Sequence, residues 1–214
     1  MKVELHLHTS RYSGCATATV QQLMKLLIDT GYGAVYITEH DAVWRDWELE
    51  AIQQEFGAIR IFPGVEVTVS NDPLQHLVVL GTNDPAYLQL TSAEILHRSR
   101  DAGHLTILAH PFRWSGAGEM LEEKLLPDAL EYQTCNHDAA QACKAKMTAQ
   151  RLRVPLVNAG DVHALDFVGR YWIETRRPIE KADDIRQIIL GGEYANCSRD
   201  EEDPRPVGWS LVNR

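Results

Sequence analysis

Thiols, basic charge and long apolar runs are all scarce in this chain, and each shortage removes a class of function. The four cysteines, Cys15, Cys135, Cys143 and Cys197, are scattered and form no Cys-x-x-Cys pair. They read as reduced thiols of a cytoplasmic protein, not as a disulfide framework. Lys and Arg total 21 against 30 Asp and Glu, for a formal net charge of -9. That balance argues against a long nucleic-acid duplex, which is gripped chiefly by Lys and Arg. It still admits a small phosphorylated substrate, because bound divalent cations reverse the local sign of an acidic site. No run approaches the roughly 20 apolar residues of a membrane span. No basic-then-apolar leader precedes the first strand, so neither membrane nor secretion is expected. A glycine-rich phosphate turn of the dinucleotide-binding kind is also missing.

What is present is an alternation of strands and helices. At 214 residues and 44% hydrophobic content the chain suits one domain, 1–214, with the charged, proline-containing stretch 198–214 as an extended tail. Residues 3–7 predict a strand. Thr19-Val20-Gln21-Gln22 is a capping box, and Val20, Leu23, Leu27 and Ile28 follow at helical spacing to Gly31. Strands are expected at 34–38, 59–62, 65–69, 76–81, 105–109, 130–133 and 155–159. Helices are expected near 45–56, from the Thr91-Ser92-Ala93-Glu94 cap to Gly103, over 138–152 and over 183–190. A glycine-containing loop lies at 115–118. Repeated strand–helix units in one domain imply a parallel sheet. The polar residues favour a barrel, because they gather at the C-terminal ends of many strands.

The opening carries the sharpest signal. In Val3-Glu4-Leu5-His6-Leu7-His8-Thr9, alternate residues of an extended strand share a face, so His6 and His8 present two imidazoles to one point. Further candidates follow in chain order: Thr38-Glu39-His40-Asp41, Gly64-Val65-Glu66, His76, Ala109-His110-Pro111 and Asp161-Val162-His163. Imidazoles with carboxylates suit zinc, manganese or iron. Each motif alone is weak. Their shared placement at one end of successive strands is not.

This order of motifs resembles that of the PHP (polymerase and histidinol phosphatase) domain phosphoesterases, from His6 to about Gly169. The resemblance implies a distorted (β/α)7 TIM-like barrel with two to three divalent metal ions at the C-terminal ends of its strands. It implies a phosphoric ester hydrolase that uses a metal-activated hydroxide on a small mono- or diester. Position by position, it implies a first metal on His6, His8, Glu66 and Asp161. A second would share Glu66 and add His76 and His110, and a third would take His40 and His163. Many relatives carry an aspartate or histidine in the loop after the first strand to complete the third metal. Here that loop is Tyr12-Ser13-Gly14-Cys15, so water, Cys15 or Glu39 fills the place, or the third site is empty.

Phosphoryl transfer needs cationic groups near the equatorial oxygens. Arg113 is the first choice, and Arg11 and Arg170 are the others. His163 or a water would protonate the leaving oxygen. Glu39 and Asp41 either orient His40 or are solvated loop residues. His97 and His104 read as surface or helix-end residues, and His137 as part of a helix start. Trp44, Trp47 and Trp114 either pack or offer a stacking surface. Two further readings stand beside the hydrolase. One is a catalytically lapsed metal-binding scaffold. The other is a metal-dependent amidohydrolase, which would want a lysine where Glu66 stands. Substrate identity and oligomeric state are left open.

Overall fold

The computed structural model describes residues 1–114, 121, 126–199 and 209–211. The 115–118 loop and most of the 198–214 tail lie outside them. Ten strands form one sheet: β1 (Lys2–Glu4), β2 (Tyr32–Ile37), β3 (Arg60–Asn71), β4 (Leu74–Leu80), β5 (Leu105–Leu108), β6 (Ala129–Glu131), β7 (Leu156–Val157), β8 (Tyr171–Thr175), β9 (Tyr194–Arg199) and β10 (Trp209–Leu211). Their order is β10-β9-β8-β1-β2-β3-β4-β5-β6-β7. Among the described residues five α-helices accompany them: α1 (Val20–Asp29), α2 (Asp46–Glu55), α3 (Ser92–Ala102), α4 (Ala139–Leu152) and α5 (Asp184–Leu190).

The sheet curls into a nearly closed, distorted barrel with more strands than the expected seven, and it is mixed where a parallel one was predicted. The β1-β2-β3 and β5-β6-β7 runs are parallel, while β4 lies antiparallel to both neighbours and β8 antiparallel to β1. The reason for β4 is local. Only Asp72 and Pro73 separate it from β3, and two residues can close a hairpin but not a crossover. The expected strands 59–62 and 65–69 are one strand, because Pro63 continues the pairing with Ile37. The reversal of β4 puts its first residues, His76 among them, at the same end of the barrel as the last residues of the parallel strands.

Alternation along β2 divides the core. Ala34 and Tyr36 join the cluster that holds Val3, Leu5, Val78 and Ile107, while Val35 and Ile37 pack with Leu23, Leu27 and Ile52 of α1 and α2. Ile185, Ile188 and Ile189 of α5 belong to the first cluster and close the end of the barrel opposite the motif histidines. Thr19, Thr91 and Asp138 each make a capping box at the start of α1, α3 and α4. Among the described residues no helix is long and apolar enough to cross a membrane.

Closure is achieved just beyond β1 and β7, where Leu7 bridges Val162. The His8 N–H donates to Val162 O at 2.9 Å and the Val162 N–H to His6 O at 3.0 Å. Glu4, fully buried, ties the seam: its Oε1 accepts from the backbone N–H of Leu5, His6 and Gly160 at 3.1, 3.1 and 2.7 Å. Burial pushes its carboxyl up to about 7, with those backbone bonds pulling the other way. A Cβ on Gly160 would meet Val162 Cγ2 at 2.5 Å and Glu4 Oε2 at 2.6 Å, and three backbone bonds prevent Glu4 from yielding. Gly160→Ala is therefore expected to cost about 1–3 kcal/mol, measured by urea unfolding in the presence of chelator. An unchanged midpoint would contradict this account of the seam.

Candidate metal centre

Beyond β1 the alternation breaks: Leu5 stays in the cluster of Val3 and Tyr36 while Leu7 joins that of α1 and α2, yet His6 and His8 both turn their Nε2 atoms to one point. The Leu7 N–H donates to Thr38 Oγ1 at 3.0 Å, which locks this segment to the end of β2. His40 follows β2 and forms an isolated bridge with Glu66, which lies in β3 past its pairing with β2. His76 comes from the start of β4, His110 from the end of β5, and Asp161 and His163 from the segment after β7. Three residues here take left-handed backbone: Asp41 at φ 45°, His110 at φ 28° and Asp161 at φ 46°. Such conformations cost of order 1–3 kcal/mol each in non-glycine residues and persist only where the surroundings enforce them.

Glu66 is the hub. Its Oε2 lies 3.1 Å from His6 Nε2, 3.2 Å from His8 Nε2 and 2.8 Å from His40 Nδ1. Its Oε1 lies 2.8 Å from His76 Nδ1 and 3.1 Å from His110 Nε2. Asp161 Oδ1 sits 3.4 Å from His6 Nε2 and 3.3 Å from His8 Nε2. Both carboxylates are buried. Burial opposes their ionisation, but the surrounding imidazoles, His6 foremost, outweigh it and hold both well below the usual carboxylate range. Burial likewise opposes charge on His6 and His8. Asp161 and Glu66 overcome it and raise both rings above their ordinary value. His163 goes the other way: burial and His8 push it down to about 4.

Around the hub, hydrogen bonds set the tautomers. The His6 Nδ1–H donates to Glu131 Oε1 at 2.6 Å. The His8 Nδ1–H donates to Ser13 Oγ at 3.2 Å, and the Ser13 hydroxyl donates to Glu39 Oε2 at 2.5 Å. Both Nε2 atoms then face inward, 3.0 Å apart. Glu39 is fully engaged, also accepting from Thr9 and from Trp44 Nε1. It orients neighbours and does not face the cluster, and Cys15 is exposed. Ser13 thus occupies the loop position where a ligand was sought. The carboxylate of Asp41 binds Thr68 through its N–H at 2.8 Å and its hydroxyl at 2.7 Å.

The remaining candidates separate clearly. All eight predicted ligands, His6, His8, His40, Glu66, His76, His110, Asp161 and His163, come together. Arg11 is drawn to Glu48, and Arg170 to Asp166. Arg113 is exposed, with its guanidinium 4.8 Å from the centroid of the Trp114 ring. That ring lies edge-on to His110 and His76, at 5.0 and 5.5 Å, so Arg113 stands at the rim of the centre. The His137 Nδ1–H donates to Tyr132 O at 2.9 Å. His97 is exposed, and His104 pairs with Asp183 at the opposite end. Sequence reasoning missed Glu4, Glu131 and Asn136, whose Nδ2 donates to Asp161 Oδ2 at 2.5 Å. The available signal was a carboxylate inside an otherwise apolar strand run, at Glu4 and again at Glu131.

The donor set fits divalent metal ions. Glu66 Oε2 and Asp161 Oδ1 are buried oxygens without a hydrogen-bond donor, and the inward Nε2 atoms of His6 and His8, 3.0 Å apart, would as neutral rings set lone pairs against each other unless a cation lay between them. Three groups have ligand atoms close enough to share an ion: His6, His8, Glu66 and Asp161; His40, Glu66 and His76; and His8, His40 and His163. A family model of the PHP domain matches residues 4–126, over half of the chain. The chain belongs to the PHP domain family. The match carries six of the eight candidate ligands; the fold brings in Asp161 and His163.

Solved structures agree in fold. A two-domain protein of Bacteroides vulgatus containing a predicted PHP-like metal-dependent phosphoesterase superposes with TM-score 0.71 at 15% identity, over 92% of this chain and 64% of that one. The chain thus spans under two thirds of that neighbour. A protein of Bifidobacterium adolescentis assigned as a metal-dependent phosphoesterase superposes with TM-score 0.62 at 14% identity, covering 87% of this chain and 94% of that one. An amidohydrolase of Chromobacterium violaceum, with bound sulfate and no metal, gives TM-score 0.61 at 14% identity over 77% and 88%. No curated protein matches the sequence.

A carboxylate shared by two sets of imidazoles should matter to both. Glu66→Gln keeps the size, removes the charge and replaces one acceptor oxygen by a donor. It is expected to lower bound metal per chain far more than His97→Ala does, as read by elemental analysis after reconstitution. Near-native metal content in Glu66→Gln would remove the bridge.

Proposed function

We propose that this PHP domain is a metal-dependent phosphoesterase acting on a small phosphate mono- or diester. The observation that carries the reading is the division of Glu66: one oxygen faces His6, His8 and His40 and the other faces His76 and His110. A carboxylate so placed suits a bridge between two divalent ions, drawn from zinc, manganese or iron. His6, His8 and Asp161 would complete one site, with His76 and His110 on the other. His40 reaches both Glu66 and His163, whose Nε2 is 3.4 Å from its own. Two such ions, when bound, lower the pKa of water and neutralise phosphoryl oxygens.

The protein's own groups supply the rest. Glu131 and Ser13 place the single proton of a neutral His6 or His8 on Nδ1, which leaves Nε2 to meet a metal. With a value near 4, His163 is neutral at physiological pH; it is suited to ligate and ill suited to deliver a proton to the leaving oxygen. Arg113, at the rim beside His110, is the cation best placed to meet phosphoryl oxygens, and its planar fork can hold two at once. Among the described residues no lysine stands in the cluster, where Glu66 takes the bridging place, and that favours a phosphoesterase over the amidohydrolase reading.

The test is a panel of phosphate esters, including an aryl phosphate and a nucleoside monophosphate, offered to protein reconstituted separately with manganese, zinc and iron(II). Hydrolysis with at least one metal is expected. No turnover of any ester under any metal would favour a binding scaffold. Arg113→Ala should lower kcat/KM by about 10²-fold at unchanged metal content, and Arg113→Lys should recover only part of it. Equal rates in all three proteins would remove Arg113 from the reaction.

A further inference from the structure

Glu131 closes β6 with no exposed surface. Its two oxygens serve two different strands. Oε1 accepts from the side chain of His6 at 2.6 Å, and Oε2 accepts from the backbone N–H of His110 at 2.6 Å. Those two histidines lie on opposite oxygens of Glu66, each with its Nε2 at 3.1 Å. One buried carboxylate therefore grips a member of each imidazole set. The His110 backbone sits at φ 28°, and its N–H is the atom that Glu131 holds.

We propose that Glu131 is a positioning residue that couples the two halves of the metal centre. Through Oε1 it fixes His6 with the Nε2 lone pair turned inward. Through Oε2 it holds His110 in the left-handed conformation that aims its ring at Glu66. The inference rests on the metal-centre reading above and is independent of which ester, if any, is hydrolysed. Other groups around the ligands do less. The Asn136 side chain reaches one ligand, Asp161, and Glu4 holds only backbone.

Carboxylates that receive the outer N–H of a ligating histidine fix its ring and raise its basicity, and losing one typically costs about 10–100-fold in metal affinity. Glu131→Gln is a sharp probe because an amide offers one acceptor oxygen and one donor nitrogen. Whichever way the amide turns, one donor faces another and one of the two bonds is lost.

The experiment uses the whole chain, stripped by chelator and titrated with Zn2+ against a chromogenic chelator, with melting followed in both states. Imidazole 15N spectra report the His6 tautomer. The expected result for Glu131→Gln is Zn2+ affinity lowered by about 10–100-fold, with a larger loss of melting temperature in the zinc-loaded protein than in the stripped one. A merely structural role would lower both melting temperatures equally and leave affinity unchanged, and that result would overturn the proposal. Should the variant fail to fold, wild-type spectra decide: His6 protonated on Nδ1 supports the proposal, and on Nε2 overturns it. A wild-type chain that takes up no zinc would sink the metal-centre reading and this inference together. Wild-type uptake with equal affinity in Glu131→Gln would sink this inference alone.

Discussion

A carboxylate taken wholly out of water is costly unless positive charge or strong hydrogen bonding meets it. Glu66 has no exposed surface and is met by five imidazoles. Those rings arrive from the ends of β1, β2 and β5 and the start of β4. Much of the barrel's register is therefore specified by what this one group requires. Slip β2 against β3 by a residue, and His40 leaves Glu66. Lengthen the β3–β4 hairpin into a crossover, and His76 moves to the other end of the barrel. The same requirement suits the centre to a divalent cation, because neutral imidazoles would not by themselves offset two buried carboxylates.

Strain at this end of the barrel is distributed and individually restrained. Each left-handed residue has its own partner: Asp41 through Thr68, His110 through Glu131, and Asp161 through Asn136. Gly160, next to Asp161, is drawn by its N–H onto Glu4. Glu131 and Ser13 hold the outer nitrogens of His6 and His8, whereas Glu66 Oε2 and Asp161 Oδ1 are left to face the centre. That arrangement suits a preorganised ligand shell.

Local patterns were readable from the chain because their causes are local. The capping boxes at Thr19 and Thr91 and the period-two spacing of His6 and His8 depend on neighbours within a few residues. The eight acidic and imidazole candidates could be named because such residues at strand ends have few reasons to be there. Strand direction was less accessible: β4 follows from a two-residue connection, and β8 pairs antiparallel to β1 without a sequence mark. Glu131 escaped because its partner His6 is 125 residues away, and a lone carboxylate in an apolar strand names no partner. Ser13 escaped for a related reason: the loop was searched for a ligand, and what stands there orients His8 and His40 instead.

The central claim is that Glu66 bridges two metal ions, and anomalous diffraction tests it most directly. Crystals grown with manganese or zinc, measured on either side of the metal's absorption edge, should show two peaks about 3.5–4 Å apart, one beside each oxygen of Glu66. A single peak, or none at full occupancy of the ligand side chains, would contradict the account.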